Sequence, residues 1–190
     1  FPYLLLLISG GHSSFYYLKS PTEFKFLGGT LDDAVGEAFD KVGKALGLKF
    51  PGGPEIEKIA LDGDEKAFDF PKPLVNKANS NLDLSFSGLK SNIINKIKNN
   101  NKNLFSSNYK SDVAASFQNT VAEILTDKLG KAINLCDKIF PGYTNVVVSG
   151  GVASNSYLRK RFIELITLRK KIAFIPPSEL CTDNGAMIAW

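Results

Sequence analysis

Two Ser-Gly-Gly tripeptides, each at the end of an apolar run, are the residues best suited to ligand chemistry. The first closes the segment Leu7–Gly11, and the second lies within Val148–Asn155. Glycines at a strand end let the backbone approach a ligand, and their N–H groups can bind phosphate or carboxylate oxygens. The first tripeptide could also be an ordinary hairpin turn. The second could be a plain strand–helix turn capped by Asn155, or half of a nucleotide cleft at a helix N-terminus.

Acidic side chains supply a second kind of chemistry. Asp33, Glu37 and Asp40 are spaced by four and three residues, which places them on one face of a helix. Carboxylates that point into a cleft can bind ribose hydroxyls. The same face could instead be solvated, with pairs to Lys41 or Lys44, and Asp33 could belong to a helix cap.

Asp183 follows Cys181 and Thr182 and begins the last predicted helix. A carboxylate there could ligate a metal or stabilise the helix dipole. His12 is the only histidine, and the two cysteines are far apart, so neither a typical zinc site nor a disulfide framework is expected. The sequence has no Gly-x-Ser-x-Gly motif and no second histidine to act as base, which argues against a serine hydrolase.

The segments that must position these residues mix strands with helices. Apolar runs bounded by turn residues predict strands at Tyr3–Ile8, His12–Leu18, Leu82–Phe86, Val146–Val148 and Ile172–Ile175. A hairpin followed by helices and short strands predicts an α/β fold with a mixed sheet.

The clearest predicted helix follows an N-cap at Thr30 and ends at Leu46, with Gly47 as its stop. Its apolar stripe, expected in the core, comprises Leu31, Ala34, Val35, Ala38, Phe39, Val42, Ala45 and Leu46. Further helices are predicted from Pro54, at Leu89–Lys98 with Ser87 as cap, at Asp112–Asp137, from near Ser154, and from Asp183 with Thr182 as cap.

Composition limits the class of protein. The 190 residues, 44% of them apolar and 14 of them Phe, are typical of a globular chain and not of a disordered or fibrous one. The net charge of +4 permits an RNA partner without arguing for one. The apolar run at Leu4–Ile8 is too short to span a bilayer and lacks the features of a signal peptide. Because the chain begins with Phe1 and ends at Trp190 within a predicted helix, we expect a piece of a longer protein. The two distant cysteines and the lack of a signal peptide favour an intracellular one.

Six motifs together resemble one family, the TsaD family of tRNA threonylcarbamoyl transferases. They are LISGGH at 7–12, DDAVGEAFDK at 32–41, FPGGP at 50–54, SFSGLK at 85–90, SGGVASN at 149–155 and CTDN at 181–184. They follow the family order and span almost the whole chain. The second and third motifs are far more specific than any single glycine motif.

The resemblance implies an α/β, actin-like ATPase fold with two ribonuclease-H-like lobes, of which this chain would be mainly the second. Residues 1–180 would form the nucleotide-binding second lobe, and 181–190 would start the helix that returns to the first. The implied reaction transfers a threonylcarbamoyl group from threonylcarbamoyl-AMP to the exocyclic amine of the tRNA adenosine 3′ of the anticodon. The alternatives are an ATP-dependent kinase of the same superfamily and a non-catalytic paralogue that serves as a scaffold.

Carried over residue by residue, the resemblance implies a substrate site made of Leu7, Ile8, Ser9, Gly10, Gly11, Asp40, Gly53 and Asn155. Asp183 would ligate one divalent metal, Fe²⁺ or Zn²⁺, together with two histidines from a preceding half that is absent here. No residue stands out as a general base. These 190 residues alone are therefore expected neither to hold the metal tightly nor to catalyse the transfer.

The implied partners are tRNA, threonylcarbamoyl-AMP or ATP, and other proteins of the threonylcarbamoylation complex, with no membrane. The expected location is the cytoplasm, or an organelle if a targeting segment has been lost.

Overall fold

Five strands form one mixed sheet in the computed structural model, which describes residues 1–75, 81–100, 106–181 and 185. The strands are β1 (Tyr3–Ile8), β2 (Ser13–Leu18), β3 (Phe24–Gly29), β4 (Asn145–Ser149) and β5 (Ile172–Phe174). Their spatial order is β3-β2-β1-β4-β5, with β1 antiparallel to β2 and parallel to β4. The mixed α/β sheet predicted from the sequence is confirmed.

One face of the sheet is buried against helices. These are α1 (Val35–Ala45), α2 (Gly52–Ala60), α3 (Ser87–Asn99), α4 (Ser107–Ile139) and α5 (Ser156–Leu168). Leu4, Leu6 and Ile8 of β1 are fully buried, and they lie in register with buried residues of β2 and β4. They belong to one apolar cluster that includes residues of all five helices. The core therefore lies between this sheet face and the helices.

The parallel pairing of β1 with β4 determines where the two Ser-Gly-Gly turns lie. Leu7 on β1 pairs with Ser149 on β4, so both strands end at the same edge of the sheet. The two turns consequently leave the sheet side by side. Two motifs that are far apart in sequence thus become neighbours, as the carboxyl ends of adjacent parallel strands must.

α1 begins at Val35, so the prediction of Thr30 as its N-cap was wrong. The Thr30 hydroxyl donates instead to the Asp33 carbonyl, 2.6 Å away. The Val35 N–H, first in the helix, donates to the Ser13 hydroxyl on β2 at 2.9 Å. A distant residue therefore replaces the local cap. Leu31 precedes the helix and is 68% exposed, so its predicted place in the core was also wrong.

The segment 82–87 differs from its prediction for a related reason. Residues 82–86 form no strand, and only Leu84 makes an isolated bridge, to Thr30. Ser87 does not cap α3 through its side chain. Instead, the Asp32 carboxylate accepts hydrogen bonds from the Phe86 and Ser87 N–H groups at 2.8 and 3.2 Å. Contacts with residues 30–32 hold this segment, and a local sequence pattern does not show them.

The remaining differences are one missed strand and the bounds of two helices. β3 was not predicted; it is an edge strand whose aromatic side chains, Phe24 and Phe26, are exposed, whereas Leu27 is partly buried against the core. α4 is longer at both ends than the predicted Asp112–Asp137. α2 begins at Gly52, before the predicted start at Pro54. The Gly47 stop of α1 is confirmed, because its φ of 74° lies in the left-handed region.

The C-terminal prediction falls on residues that the structure leaves undescribed. Thr182 and Asp183 lie outside the described residues, as does most of the predicted second unit, 181–190. Within the described part of the chain, no helix is both long and apolar enough to cross a membrane.

Candidate functional site

The first Ser-Gly-Gly turn is held by its own serine and by α1. The Ser9 hydroxyl accepts hydrogen bonds from the N–H groups of Gly11 and His12 at 3.3 and 3.0 Å. The Gly36 N–H donates to the Ser9 carbonyl at 3.2 Å, and a Cβ on Gly36 would lie 2.6 Å from that oxygen. Only glycine allows so close an approach. Ser9 thus organises the turn, and Gly36 fixes the turn against α1.

The second Ser-Gly-Gly turn packs on the end of β1. Gly150 has a φ of 101°, and a Cβ there would overlap the Ile8 carbonyl. The Gly150 carbonyl accepts a hydrogen bond from the Ala153 N–H at 2.9 Å, within a 3₁₀ turn over Gly151–Ser154. The first glycine of this turn is therefore required by packing, and it brings the second turn against the first strand.

Asn155 is buried, and both ends of its side-chain amide are bound within the protein. Its Oδ1 accepts a hydrogen bond from the Leu158 N–H at 2.9 Å and so caps α5. Its Nδ2 donates to Oε1 of Gln118 at 2.8 Å. The capping role considered from the sequence is confirmed. A contact between Asn155 and a ligand stays a prediction.

Asp40 joins α1 to the start of α2. Its Oδ1 accepts a hydrogen bond from the Gly52 N–H at 2.7 Å. Glu37 lies on the same helix, whereas Asp33 precedes the helix and forms an ion pair with Lys90. The face of three carboxylates predicted from spacing is therefore reduced to Glu37 and Asp40.

One cleft of about 210 Å³ collects residues from both turns and from both helices. Its walls include Gly10 of the first turn, Asp40 of α1, Gly53 of α2 and Asn155 at the second turn. These are four of the predicted substrate residues, although they come from distant parts of the sequence. The other four, Leu7, Ile8, Ser9 and Gly11, do not line it; the Ile8 side chain is buried in the core.

Three glycines of the cleft differ from those that packing requires. Gly10, Gly53 and Gly151 line the cleft, and a Cβ on any of them would meet no described atom within 4 Å. Their φ angles also lie outside the left-handed region that disfavours other residues. Neither backbone conformation nor packing within the described residues explains the missing side chains. The described residues leave the space beside all three glycines open.

Glu57, which was not predicted from the sequence, also lines the cleft. Its carboxylate accepts hydrogen bonds from the Ser156 N–H, at 2.7 Å, and from the Ser156 hydroxyl. The negative charge thus lies at the N-terminus of α5, where the helix dipole favours it. The two residues are 99 positions apart, so no local sequence signal could reveal the contact.

Asp32 was likewise missed, although it lies inside one of the two most specific motifs. Burial alone would raise the pKa of its carboxyl group. Hydrogen bonds from the Ser85 and Ser87 hydroxyls and from the Phe86 and Ser87 N–H groups outweigh that effect and lower the pKa to about 2. Asp32 therefore holds the chain before α1 to the start of α3, and its charge is already used within the protein.

The predicted metal ligand, Asp183, lies outside the described residues. Within the described ranges, which end with residues 181 and 185, no group of three His, Cys, Asp or Glu side chains could hold a metal ion. Arg159 donates hydrogen bonds to the carbonyls of Ala153, at 2.7 Å, and of Pro176, and to Sγ of Cys181 at 3.5 Å. Arg159 thus connects the second turn to the segment that leads to Asp183.

Comparison with known proteins gives the family. The family model described as TsaD, tRNA N6-adenosine threonylcarbamoyltransferase, matches residues 1–190. The chain belongs to the TsaD family. The resemblance predicted from the six motifs is confirmed, and so is the α/β, actin-like ATPase fold class of this family.

Curated relatives in the TsaD family share close to half of their residues with this chain. A tRNA N6-adenosine threonylcarbamoyltransferase of Rickettsia rickettsii (strain Sheila Smith) is 47% identical over 195 residues, and one of Sulfurihydrogenibium sp. (strain YO3AOP1) is 46% identical over 190. Both alignments cover 100% of this chain but 55% and 52% of the relatives. The chain therefore spans about half the length of the TsaD proteins that it matches.

A solved structure supports the fold assignment. The crystal structure of full-length HypF in the phosphate- and nucleotide-bound form superposes with a TM-score of 0.64 over 97% of this chain and 32% of the HypF chain. The sequence identity is 16%, so the likeness concerns the fold alone.

Proposed function

We propose that the protein containing this chain transfers a threonylcarbamoyl group from threonylcarbamoyl-AMP to the exocyclic amine of the tRNA adenosine 3′ of the anticodon. Membership of the TsaD family supports the reaction class. The observation that carries the proposal is the set of three glycines in the cleft wall, Gly10, Gly53 and Gly151. Packing among the described residues does not require glycine at any of these positions. An adenylate would occupy the space that these glycines leave.

The described residues would bind and orient the donor. Gly53 lies in the first turn of α2, where N–H groups have no acceptor within the helix, so this turn can donate to a phosphate oxygen. Asp40 faces the same cleft and can accept from a ribose hydroxyl while it holds Gly52. Holding the donor in one orientation removes much of the entropic cost of reaction.

The chemical step itself is an acyl transfer. The amine nitrogen of adenosine bonds to the carbamoyl carbon, the bond from that carbon to the adenylate oxygen breaks, and AMP leaves with the bonding electrons. One amine proton is released. No described residue is assigned as the base. An iron or zinc ion held by Asp183 and by histidines outside this sequence would polarise the carbamoyl carbonyl or bind phosphate oxygens.

The same proposal includes the implied partners and location. Threonylcarbamoyl-AMP and tRNA are its substrates, and other proteins of the threonylcarbamoylation complex are its partners. The cytoplasm is its proposed location.

A transfer assay on the full-length protein tests the role of Asp40. Asp40→Asn keeps an oxygen that can accept from the Gly52 N–H but removes the negative charge. A hydrogen bond to a charged group contributes about 1.5–3 kcal/mol, so we expect the transfer rate at limiting donor to fall roughly 10- to 150-fold. The modified nucleoside is measured by mass spectrometry of digested tRNA.

The control is Asp62→Asn, because Asp62 is exposed and lies outside the cleft. It should leave the rate unchanged. An equal rate for Asp40→Asn and the control would contradict the assignment of Asp40. Absence of modified nucleoside with the metal-loaded wild-type protein and its partner proteins would contradict the proposed function as a whole.

A further inference from the structure

A second groove of about 390 Å³ lies beside the cleft and shares Gly10 and Asp40 with it. Its distinctive side chains are Lys41 and Lys44 of α1, with Lys49 and Phe50 of the following loop. We call these four residues the basic groove. Because the groove and the cleft share two residues, a molecule lying in the basic groove would reach the cleft.

The charge of the basic groove is available to a partner. Lys41, Lys44 and Lys49 are exposed, and none of them forms an ion pair within the described residues. The pairs with Glu37 or Asp40 that spacing along α1 allows are therefore not made. Asp40 instead accepts from the Gly52 N–H.

A fourth ammonium group extends the positive charge. Nζ of Lys110 lies 3.8 Å from the position that a Cβ on Gly47 would take, one residue before Leu48 of the groove wall. The four ammonium groups outnumber the two carboxylates of the groove, Glu37 and Asp40. The surface therefore favours a negatively charged partner.

Phe50 adds a feature that charge alone does not explain. Its side chain is 84% exposed, more than any other large apolar side chain among the described residues. Proteins that bind single-stranded nucleic acids combine a positively charged groove with exposed aromatic rings. The lysines neutralise phosphates, and the ring stacks on a base.

We propose that the basic groove binds the single-stranded anticodon loop of the tRNA, with its phosphates on the lysines and one base stacked on Phe50. Bases in such loops are unpaired and free to stack on aromatic side chains. The loop would then deliver its acceptor adenosine to the adjoining cleft. This inference rests on the proposed function, because it assigns that function's acceptor to a surface.

The test uses the full-length protein and a fluorescent RNA hairpin whose loop has the sequence of the anticodon loop. In the triple variant Lys41→Gln, Lys44→Gln, Lys49→Gln, three phosphate contacts are lost. The slope of log affinity against log salt concentration should therefore become shallower by about 2, since each contact contributes about 0.7. Phe50→Ala should weaken binding roughly 5- to 150-fold at any salt concentration. Fluorescence anisotropy gives both quantities.

Matched controls separate the groove from general charge and hydrophobicity. Lys138, Lys160 and Lys170 are exposed and lie outside the groove, and their triple change to Gln alters the net charge equally. Phe24→Ala removes another exposed phenylalanine, 65% exposed, on edge strand β3. Both controls should bind the hairpin like the wild type. An equal loss in a control and in its matched groove variant would overturn the proposal.

A second readout distinguishes failure of this inference from failure of the proposed function. The groove variants should bind a non-hydrolysable threonylcarbamoyl-adenylate analogue as the wild type does. If they also bind the hairpin normally while the wild-type protein modifies tRNA, the basic groove is not the RNA surface and the function stands. If the groove variants lose a protein partner but keep normal hairpin affinity, the groove is a protein interface and the proposal is wrong.

Discussion

Hydrogen bonds to distant segments hold several acidic residues of this chain in place. Asp32 is held by residues 85–87, and Glu57 by Ser156. Asp40 also has a partner, the Gly52 N–H, and both Asp40 and Glu57 lie on the cleft wall. Glu37, the neighbour of Asp40, lines the basic groove instead.

For the single residue Asp32, the lowered pKa predicts how the free energy of unfolding depends on pH. The pKa of its carboxyl group is about 2 in the folded protein, compared with 3.8 for a carboxyl group without these partners. Because folding lowers this pKa, the charged carboxylate stabilises the fold at pH values above the unfolded pKa. That contribution is lost as the pH falls through the folded pKa. Asp32→Asn should therefore reduce the free energy of unfolding by about 1 kcal/mol near pH 7, a value discounted for the exposure of this carboxylate.

The measurement is urea unfolding of wild type and Asp32→Asn at a series of pH values. The difference between the two should be constant above about pH 4 and shrink between pH 4 and pH 2. Asp62→Asn, at an exposed position, is the control and should show no such pattern. A difference that does not change with pH over this range would mean that the Asp32 charge does not hold the segment.

Residue types and spacing predicted part of this network. The motifs that resemble the TsaD family contain Asp40, Gly53 and Asn155, which all line the cleft, and their contact with a ligand stays a prediction. Residue types and spacing did not identify Asp32 or Glu57, because the partners of both lie in other segments. The local sequence predicts that Asn155 caps a helix. It does not predict the hydrogen bond from Asn155 to Gln118, which lies far away in the chain.

At the scale of elements, α1 shows where a periodic pattern stops being reliable. The residues from Val35 to Val42 that were predicted to be core are buried, because the 3.6-residue period holds along the helix itself. Leu31 fits the same period but lies before the helix, where Thr30 and Asp33 form a turn. Edge strand β3 was missed because its apolar residues, Phe24, Phe26 and Leu27, form only a short run that ends in two glycines.

A pair of substitutions tests this boundary. Phe39 is 2% exposed and its ring lies 4.9 Å from that of Phe117, so Phe39→Ala should reduce the free energy of unfolding by roughly 3–5 kcal/mol. Leu31→Ala should cost about 0.5 kcal/mol or less, because the side chain is already exposed. Chemical denaturation measures both. A loss in free energy of unfolding below about 1 kcal/mol for Phe39→Ala would contradict the helix boundary. Losses of similar size for Phe39→Ala and Leu31→Ala would contradict it as well.

Across the molecule as a whole, the parallel pairing of β1 with β4 places the two turns that form the candidate site. It brings together two Ser-Gly-Gly turns that are separated by most of the chain, and α1 and α2 complete the walls of the cleft. The sequence raised a nucleotide cleft at these glycine turns as one alternative, but it did not predict the pairing itself, since no pattern within either strand identifies its neighbour. The chain spans about half the length of its curated relatives, so the proposed reaction belongs to the longer protein.

The proposed function requires the adenylate to lie in the cleft between the two turns. Calorimetric titration of the full-length protein with a non-hydrolysable threonylcarbamoyl-adenylate analogue measures this binding, using Gly53→Leu to fill the cleft and Gly88→Leu as control. A Cβ at Gly53 meets nothing within 4 Å, and one at Gly88 meets only Pro73 at 3.8 Å, so both variants should fold. We expect the wild type and Gly88→Leu to bind the analogue and Gly53→Leu to lose at least about tenfold in affinity, or roughly 1.4 kcal/mol. Equal affinity in all three proteins would show that the adenylate binds elsewhere.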